Sequence, residues 1–193
     1  MDLENFTPEQ LYCDKPSDPQ VQYLLESASK SYADGAAEPL LLQAFQIAPN
    51  DLSVLVALYR FYFYQHRYPD ALATAFQAMT AVAPLIGFPT QWPRIEQRHL
   101  EYGVLESFTL VRFYLFALKG AGLLQLRIGN HSEGVAMLRR VVALDANDRL
   151  GAAALLHAIG ASAEETGSHN NKDSARRLPR TADQPAGDTI GWR

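Results

Sequence analysis

Between residues 18 and 160, apolar residues recur at spacings of three and four, which is the pattern of amphipathic α-helices. β-branched residues are sparse in this region, and no alternating strand pattern persists. The pattern predicts an all-α protein whose turns either join the two helices of a pair or cap the next helix with Asn or Asp. Polar breaks separate the predicted helices at residues 33–35, 49–51, 66–67, 129–131 and 146–148.

The two ends of the chain differ from this helical region. Residues 1–17 are polar and rich in proline, and Thr7 with Pro8 predicts the start of one short helix there. Residues 164–193 hold few large apolar side chains, so they cannot offset their chain entropy by burial. We therefore expect an N-terminal arm, a helical domain over residues 18–163 and a disordered C-terminal tail.

An internal repeat is the most informative feature of the sequence. Ile47-Ala48-Pro49-Asn50-Asp51 and Leu144-Asp145-Ala146-Asn147-Asp148 follow helical stretches with the same punctuation. The best-formed unit runs from Leu52 to Leu85 around Tyr68-Pro69-Asp70-Ala71-Leu72, and a second runs from Leu115 to Asp148. A weaker unit spans residues 18–51. Small residues stand where two helices would cross closely: Ala37, Ala44, Ala71, Ala78, Gly122 and Gly134.

These units resemble the tetratricopeptide repeat, a helix-turn-helix unit. The resemblance implies a right-handed superhelix of about three helix pairs, with residues 149–160 as a C-terminal capping helix. The sequence departs from the family at Tyr59, where the family prefers glycine. It also departs over an insertion at about 85–107, which predicts an irregular loop, a short helix over about 93–101 and a long following helix.

Composition excludes several classes of protein. The chain has 193 residues and a formal net charge of −4, so no basic face for nucleic acid is expected. The single cysteine, Cys13, cannot form an intramolecular disulfide. No signal peptide is visible, and Arg112 and Lys119 interrupt the most apolar run, so we expect a cytoplasmic protein without a membrane span.

A search for catalytic motifs gives a negative result. No phosphate-binding glycine loop, nucleophile elbow or zinc-protease helix is present, and Gly120-Ala121-Gly122 is interpreted as helix packing. Glu96 and His99 would share a helix face, but a single such pair favours a surface ion pair over a metal site. The sequence therefore predicts a non-enzymatic protein without a cofactor or metal.

The run Tyr59-Arg60-Phe61-Tyr62-Phe63-Tyr64 is aromatic on nearly every side of its predicted helix. It is either a central core helix or part of a partner-binding groove, and both interpretations stay open here. The resemblance implies groove positions at Gln22, Glu26 and Lys30 in the first unit, and Trp92 in the insertion is a further candidate anchor. The resemblance likewise implies groove positions at Val56, Arg60, Phe63 and Tyr64 in the best-formed unit and at Lys119, Leu123 and Arg127 in the last one. These seven residues and Trp92 are the predicted partner-binding residues.

These features favour a protein-binding scaffold, an adaptor or assembly chaperone that holds a segment or subunit of a larger complex. The residues Ala57 to Arg67, with Gly87-Phe88-Pro89 and Trp92, resemble small repeat proteins that accompany nitrogen-fixation genes. That resemblance implies an accessory factor that matures or protects a metalloenzyme such as nitrogenase. A secretion-type chaperone is a further alternative, and self-association through the apolar helix surfaces is also open.

Overall fold

A computed structural model of the protein describes residues 18–32 and 36–160. Within these ranges the chain is all-helical and contains no β-strand, which confirms the predicted class. The α-helices are α1 Pro19–Lys30, α2 Ala37–Ile47, α3 Leu52–Tyr64, α4 Tyr68–Val82, α5 Gln97–Arg127, α6 His131–Leu144 and α7 over 152–160. Two short 3-10 helices, Ala83–Ile86 and Trp92–Arg94, lie between α4 and α5.

Consecutive helices pack against each other in pairs, α1 with α2, α3 with α4, and α5 with α6. The pairs are joined by packing of α2 on α3 and of α4 on α5, and α1 also touches α3. The chain divides into two compact units, Met1–His157 and Ala158–Arg193, and only residues 158–160 of the second unit are described. The predicted arm 1–17, the break at 33–35 and the predicted tail 164–193 lie outside the described residues.

The described helix boundaries follow the polar breaks in the sequence. Asp51 caps α3, because its carboxylate accepts hydrogen bonds from the backbone of Ser53 at 2.8 Å and Val54 at 3.3 Å. Gly129 follows α5 with a φ of 91°, a left-handed conformation that favours glycine. Asp148 accepts from the backbone of Ala153 at the start of α7. Each cap satisfies a backbone group that the helix itself leaves unpaired.

Two of the small residues of the repeat, Gly122 and Gly134, lie where α5 and α6 cross closely. A Cβ added to Gly134 on α6 would stand 2.8 Å from the carbonyl oxygen of Gly122 on α5, so these backbones nearly touch. Tyr59 on α3 is only 1% exposed, and a Cβ at Gly120 would stand 2.9 Å from its hydroxyl. The missing side chain at Gly120 therefore makes room for the large residue that replaces the family's glycine.

The insertion differs in detail from the prediction. A 3-10 helix occupies Trp92–Arg94, and α5 begins only at Gln97, so the short helix expected over 93–101 is wrong in its bounds. Glu96 caps α5, because its carboxylate accepts from the backbone of His99 while the ring of His99 accepts from the Glu96 backbone at 3.0 Å. The predicted surface ion pair of these two residues is thus a capping box.

A kink divides α5 at Ser107, whose backbone is extended, with φ −161° and ψ 106°. The Ser107 hydroxyl accepts a hydrogen bond from the backbone of Leu110 at 3.2 Å, so it caps a second helical segment over 108–127. A Cβ at Gly103 would stand 2.9 Å from the Val111 side chain, which shows how sharply the segments fold together. Residues 97–106 therefore form a separate helical segment ahead of the segment that packs against α6.

Among the described helices, α5 alone is long and apolar enough to cross a membrane by length and composition. However, 72% of its most apolar stretch is buried inside the protein. Helices α4 and α6 both pack against it. Burial among neighbouring helices accounts for this apolar character, which is typical of a core helix.

Candidate partner-binding groove

An open groove of about 360 Å³ lies between α1 and α3, with Leu41 of α2 behind it. Its apolar walls include Leu25 and Ala28 from α1 and Val56 and Ala57 from α3. Val21 and Leu24 of α1 are buried, and this buried stripe holds the helix in place. The remaining lining side chains are Ser29, Tyr32, Ser53, Arg60 and Tyr64.

The Arg60 guanidinium and the phenols of Tyr32 and Tyr64 lie near one another, at the end of the groove formed by the C-terminal half of α3. Of the described residues that line it, Arg60 alone carries a formal charge at neutral pH. Burial raises the pKa of the Tyr32 phenol, an effect that the nearby Arg60 guanidinium partly opposes and Tyr64 reinforces. Tyr32 therefore remains a protonated hydrogen-bond donor at neutral pH, beside a cation and above an apolar floor.

The aromatic run on α3 divides between the core and the surface. Tyr59, Phe61 and Tyr62 are buried, whereas Tyr64 is 57% exposed and Arg60 is half-buried, both at the groove. The run therefore supplies some of its residues to the core and others to a surface groove. The predicted groove positions Val56, Arg60 and Tyr64 do line one cavity, with Val56 buried in its wall.

Phe63 and Arg127 lie together in a second cluster beside the turn between α3 and α4. The Arg127 guanidinium stands 5.0 Å from the Phe63 ring and 5.2 Å from the Tyr68 ring, and donates to the Tyr68 hydroxyl at 3.1 Å. His66 contacts that same hydroxyl at 2.9 Å. Arg127 thus ties the end of α5 to the α3–α4 turn, and its role in partner binding stays a prediction.

The other three predicted residues lie apart from the groove. Lys119 is only 3% exposed, so its ammonium is not on the surface where the resemblance placed it. Leu123 is half-buried on α5, and Trp92 is half-buried in the 3-10 helix of the insertion. The insertion is fastened to α6, because Arg140 donates to the backbone oxygens of Pro93 at 2.9 Å and Ile95 at 3.2 Å.

The α1 wall of the groove differs from the one expected. Gln22, Glu26 and Lys30 are exposed but do not line the cavity, whereas Leu25, Ser29 and Tyr32 do. The repeat alignment was misplaced in this weakest unit. The buried stripe of Val21, Leu24 and Ala28 was the sequence signal that identifies the inward face of α1. Residues three or four positions from such a stripe lie beside it on the helix surface, so they border the region where the helix packs against the protein.

Comparison with known proteins gives one informative relative. No family model matches the chain, and no solved structure is significantly similar to it. The chain is 45% identical over 165 residues to the "Uncharacterized 19.8 kDa protein in nifW 5'region" of Azotobacter chroococcum mcd 1. The similarity spans 86% of this chain and 92% of that relative. The chain belongs to the same family as that protein.

The chain also carries exposed apolar side chains that the sequence did not reveal. Leu105 is 85% exposed, Phe108 58% and Tyr102 54%, and they flank the kink at Ser107. These residues recur at three-residue spacing, which is also the pattern of a buried helix face, so the sequence alone gives no signal of their exposure. Within the described residues, no group of three or more His, Cys, Asp or Glu side chains is placed to hold a metal ion.

Proposed function

We propose that this chain is a non-catalytic scaffold that binds a segment of a partner protein in the groove between α1 and α3. The observation that carries the proposal is the groove itself, an open apolar cavity with Arg60, Tyr32 and Tyr64 gathered in one part of it. Tyrosine and arginine in such settings often contribute most of the binding energy of an interface. A cavity of about 360 Å³ suits a few side chains of a partner segment.

The helical architecture supports the same proposal. Three helix pairs with small residues at their crossings resemble tetratricopeptide packing, in which the first helices of successive pairs line one surface. Here α1 and α3 are such first helices, and the groove lies between them. The second cluster, around Phe63 and Arg127, links α3 to α5 along the same series of first helices.

The relative supplies the setting for this scaffold. Its name places it in the 5′ region of nifW, a nitrogen-fixation gene. We therefore propose that the partner belongs to a nitrogen-fixation metalloenzyme complex, and that the chain assists the maturation or protection of that complex. This role requires neither catalysis by the chain nor a metal bound by its own residues.

The test compares two exposed tyrosines that differ in position. Tyr64 is 57% exposed and lines the groove, whereas Tyr23 is 69% exposed on α1 and does not line it. Full-length wild type, Tyr64→Ala and Tyr23→Ala are immobilised and exposed to extract from cells grown under nitrogen-fixing conditions. Mass spectrometry then identifies and quantifies the retained proteins.

We expect wild type and Tyr23→Ala to retain the same nitrogen-fixation protein. Tyr64→Ala should reduce that retention about tenfold, the loss that a hot-spot residue of more than 1 kcal/mol produces. Circular dichroism confirms that each variant remains helical. Equal retention by all three proteins would remove the groove from the proposal, and a retained protein unrelated to nitrogen fixation would remove the proposed setting.

A further inference from the structure

We propose that the N-terminal arm, residues 1–17, docks into the groove between α1 and α3 and covers it until a partner displaces the arm. This inference rests on the proposed function only in its last clause, the competition with a partner. Three features favour the docking: the chemistry of the arm, the chemistry of the groove, and the length of chain that joins them.

The arm and the groove are complementary in charge. The arm carries the carboxylates of Asp2, Glu4, Glu9 and Asp14 against the single side-chain cation of Lys15. The groove offers the Arg60 guanidinium and no acidic side chain among its described lining residues. An acidic segment is therefore attracted to this cavity, and the attraction is strengthened where an apolar floor excludes water.

The arm and the groove also match in apolar character. The sequence predicts a short helix capped by Thr7, and Phe6 and Leu11 stand at the two positions that pack together around such a cap. These two residues and Tyr12 give the arm an apolar side. The groove presents a fitting floor of Leu25, Ala28, Val56 and Ala57, which a short amphipathic segment can cover.

Chain length permits this docking without strain. The arm enters α1 at Asp18, and the lining residues of α1 lie from Leu25 to Tyr32. At 1.5 Å per helical residue these positions stand about 10 to 21 Å along the axis from Asp18. Seventeen residues can span up to about 55–60 Å when extended, so the arm can turn back and follow the whole groove. Because the arm is tethered, its local concentration at the groove is on the order of millimolar.

Cys13 provides a direct probe, because it is the single cysteine of the chain and lies in the arm. A second cysteine is placed in the groove by Ser53→Cys, at the second residue of α3. The matched control is Tyr23→Cys, which is closer to the arm in sequence and 69% exposed, but on the face of α1 away from the groove. An undocked arm would reach position 23 at least as readily as position 53.

The experiment measures the rate of intramolecular disulfide formation in the full chain under mild oxidation. Docking predicts that Ser53→Cys cross-links to Cys13 about tenfold faster than Tyr23→Cys, because docking raises the local concentration of one thiol near the other. Adding Arg60→Glu to Ser53→Cys should slow the reaction, since the reversed charge repels the arm. Equal rates at positions 53 and 23 would overturn the proposal, and so would disulfides that form only between two chains.

Two further measurements separate this inference from the proposed function. The reactivity of Cys13 towards a thiol reagent is compared between wild type and Arg60→Glu, where docking predicts faster reaction in the variant and no change would count against it. The cross-linked Ser53→Cys chain is then tested for partner retention, which should be lost and return on reduction. Cross-linking without that loss would leave the arm docked but show that the partner binds elsewhere.

Discussion

The close crossing of α5 and α6 makes a quantitative prediction for Gly134→Ala. The added Cβ would stand 2.7 Å from Cγ of Leu126 and 2.8 Å from the carbonyl oxygen of Gly122. Ordinary contacts begin near 3.4 Å, so both distances are too short by roughly 0.6 Å. Leu126 is a side chain and can rotate away, whereas the oxygen of Gly122 moves only if the helices separate.

Two opposing effects decide the size of the change. Overpacking in a close-packed interior costs about 1–3 kcal/mol. Alanine in place of glycine gains up to about 1 kcal/mol in a helix, and less here because Gly134 lies near the start of α6. We expect a net loss of about 1–2 kcal/mol in the free energy of unfolding. For a chain of this size that loss lowers the melting temperature by about 3–6 °C.

Urea denaturation followed by circular dichroism measures this change, and Ala136→Gly in the same helix serves as the matched control. Ala136 is exposed, so its replacement reports helix propensity alone and should lose about 0.5–1 kcal/mol. If helix propensity alone determined the change in the free energy of unfolding at both sites, Gly134→Ala would stabilise the protein by a similar amount. A variant at least as stable as wild type would therefore refute the argument from close packing.

Three further predictions follow from other parts of the structure. Burial raises the pKa of the Tyr114 phenol, so the contribution of this group to stability is constant below about pH 10 and falls above it, where the unfolded chain alone releases the proton. Tyr114→Phe should therefore reduce the alkaline slope of the free energy of unfolding by up to about 1.4 kcal/mol per pH unit, as measured by denaturation curves. Arg67→Lys should lower the free energy of unfolding by about 0.5–1 kcal/mol, because the Arg67 guanidinium forms an ion pair with the Glu38 carboxylate at 2.6 Å. The matched control, Arg98→Lys at a more exposed ion pair, should leave the urea midpoint unchanged. Leu105→Ser should leave stability within about 0.5 kcal/mol in the same assay, because Leu105 is 85% exposed, and a larger loss would show that the side chain is buried in solution.

Much of the fold could be predicted because local signals mark it. The turns at 49–51, 66–67 and 129–131 coincide with described helix ends, since Asp51 caps a helix and Gly129 adopts a positive φ. The crossing glycines were also visible, because only a small residue allows two backbones to approach closely. Each of these features depends on one or two residues, so it can be predicted without knowledge of the tertiary structure.

The kink in α5 could not be predicted from the sequence as readily. The residues on both sides of Ser107 are helical and apolar, so the spacing of apolar residues does not mark where one helical segment ends and the next begins. The available signal was a serine that can cap a helix inside such a run, and its hydroxyl does accept from Leu110. Serine is common within helices as well, so the signal becomes decisive only when the packing of Gly103 against Val111 is known.

The candidate site shows the same division between local and tertiary information. Arg60 and Tyr64 were placed at a groove because the α3 repeat is well formed, whereas the α1 wall was misplaced by a weak repeat. Gly120 on α5 leaves room for the Tyr59 hydroxyl, so the large residue that departs from the family at α3 is accommodated by a helix outside its own pair. A large residue on one helix and a missing side chain on its neighbour preserve the spacing of α3 and α5. The groove therefore depends on a pair of residues 61 positions apart, which is why changing Gly120 to a larger residue should displace α3 and alter a cavity that it does not line.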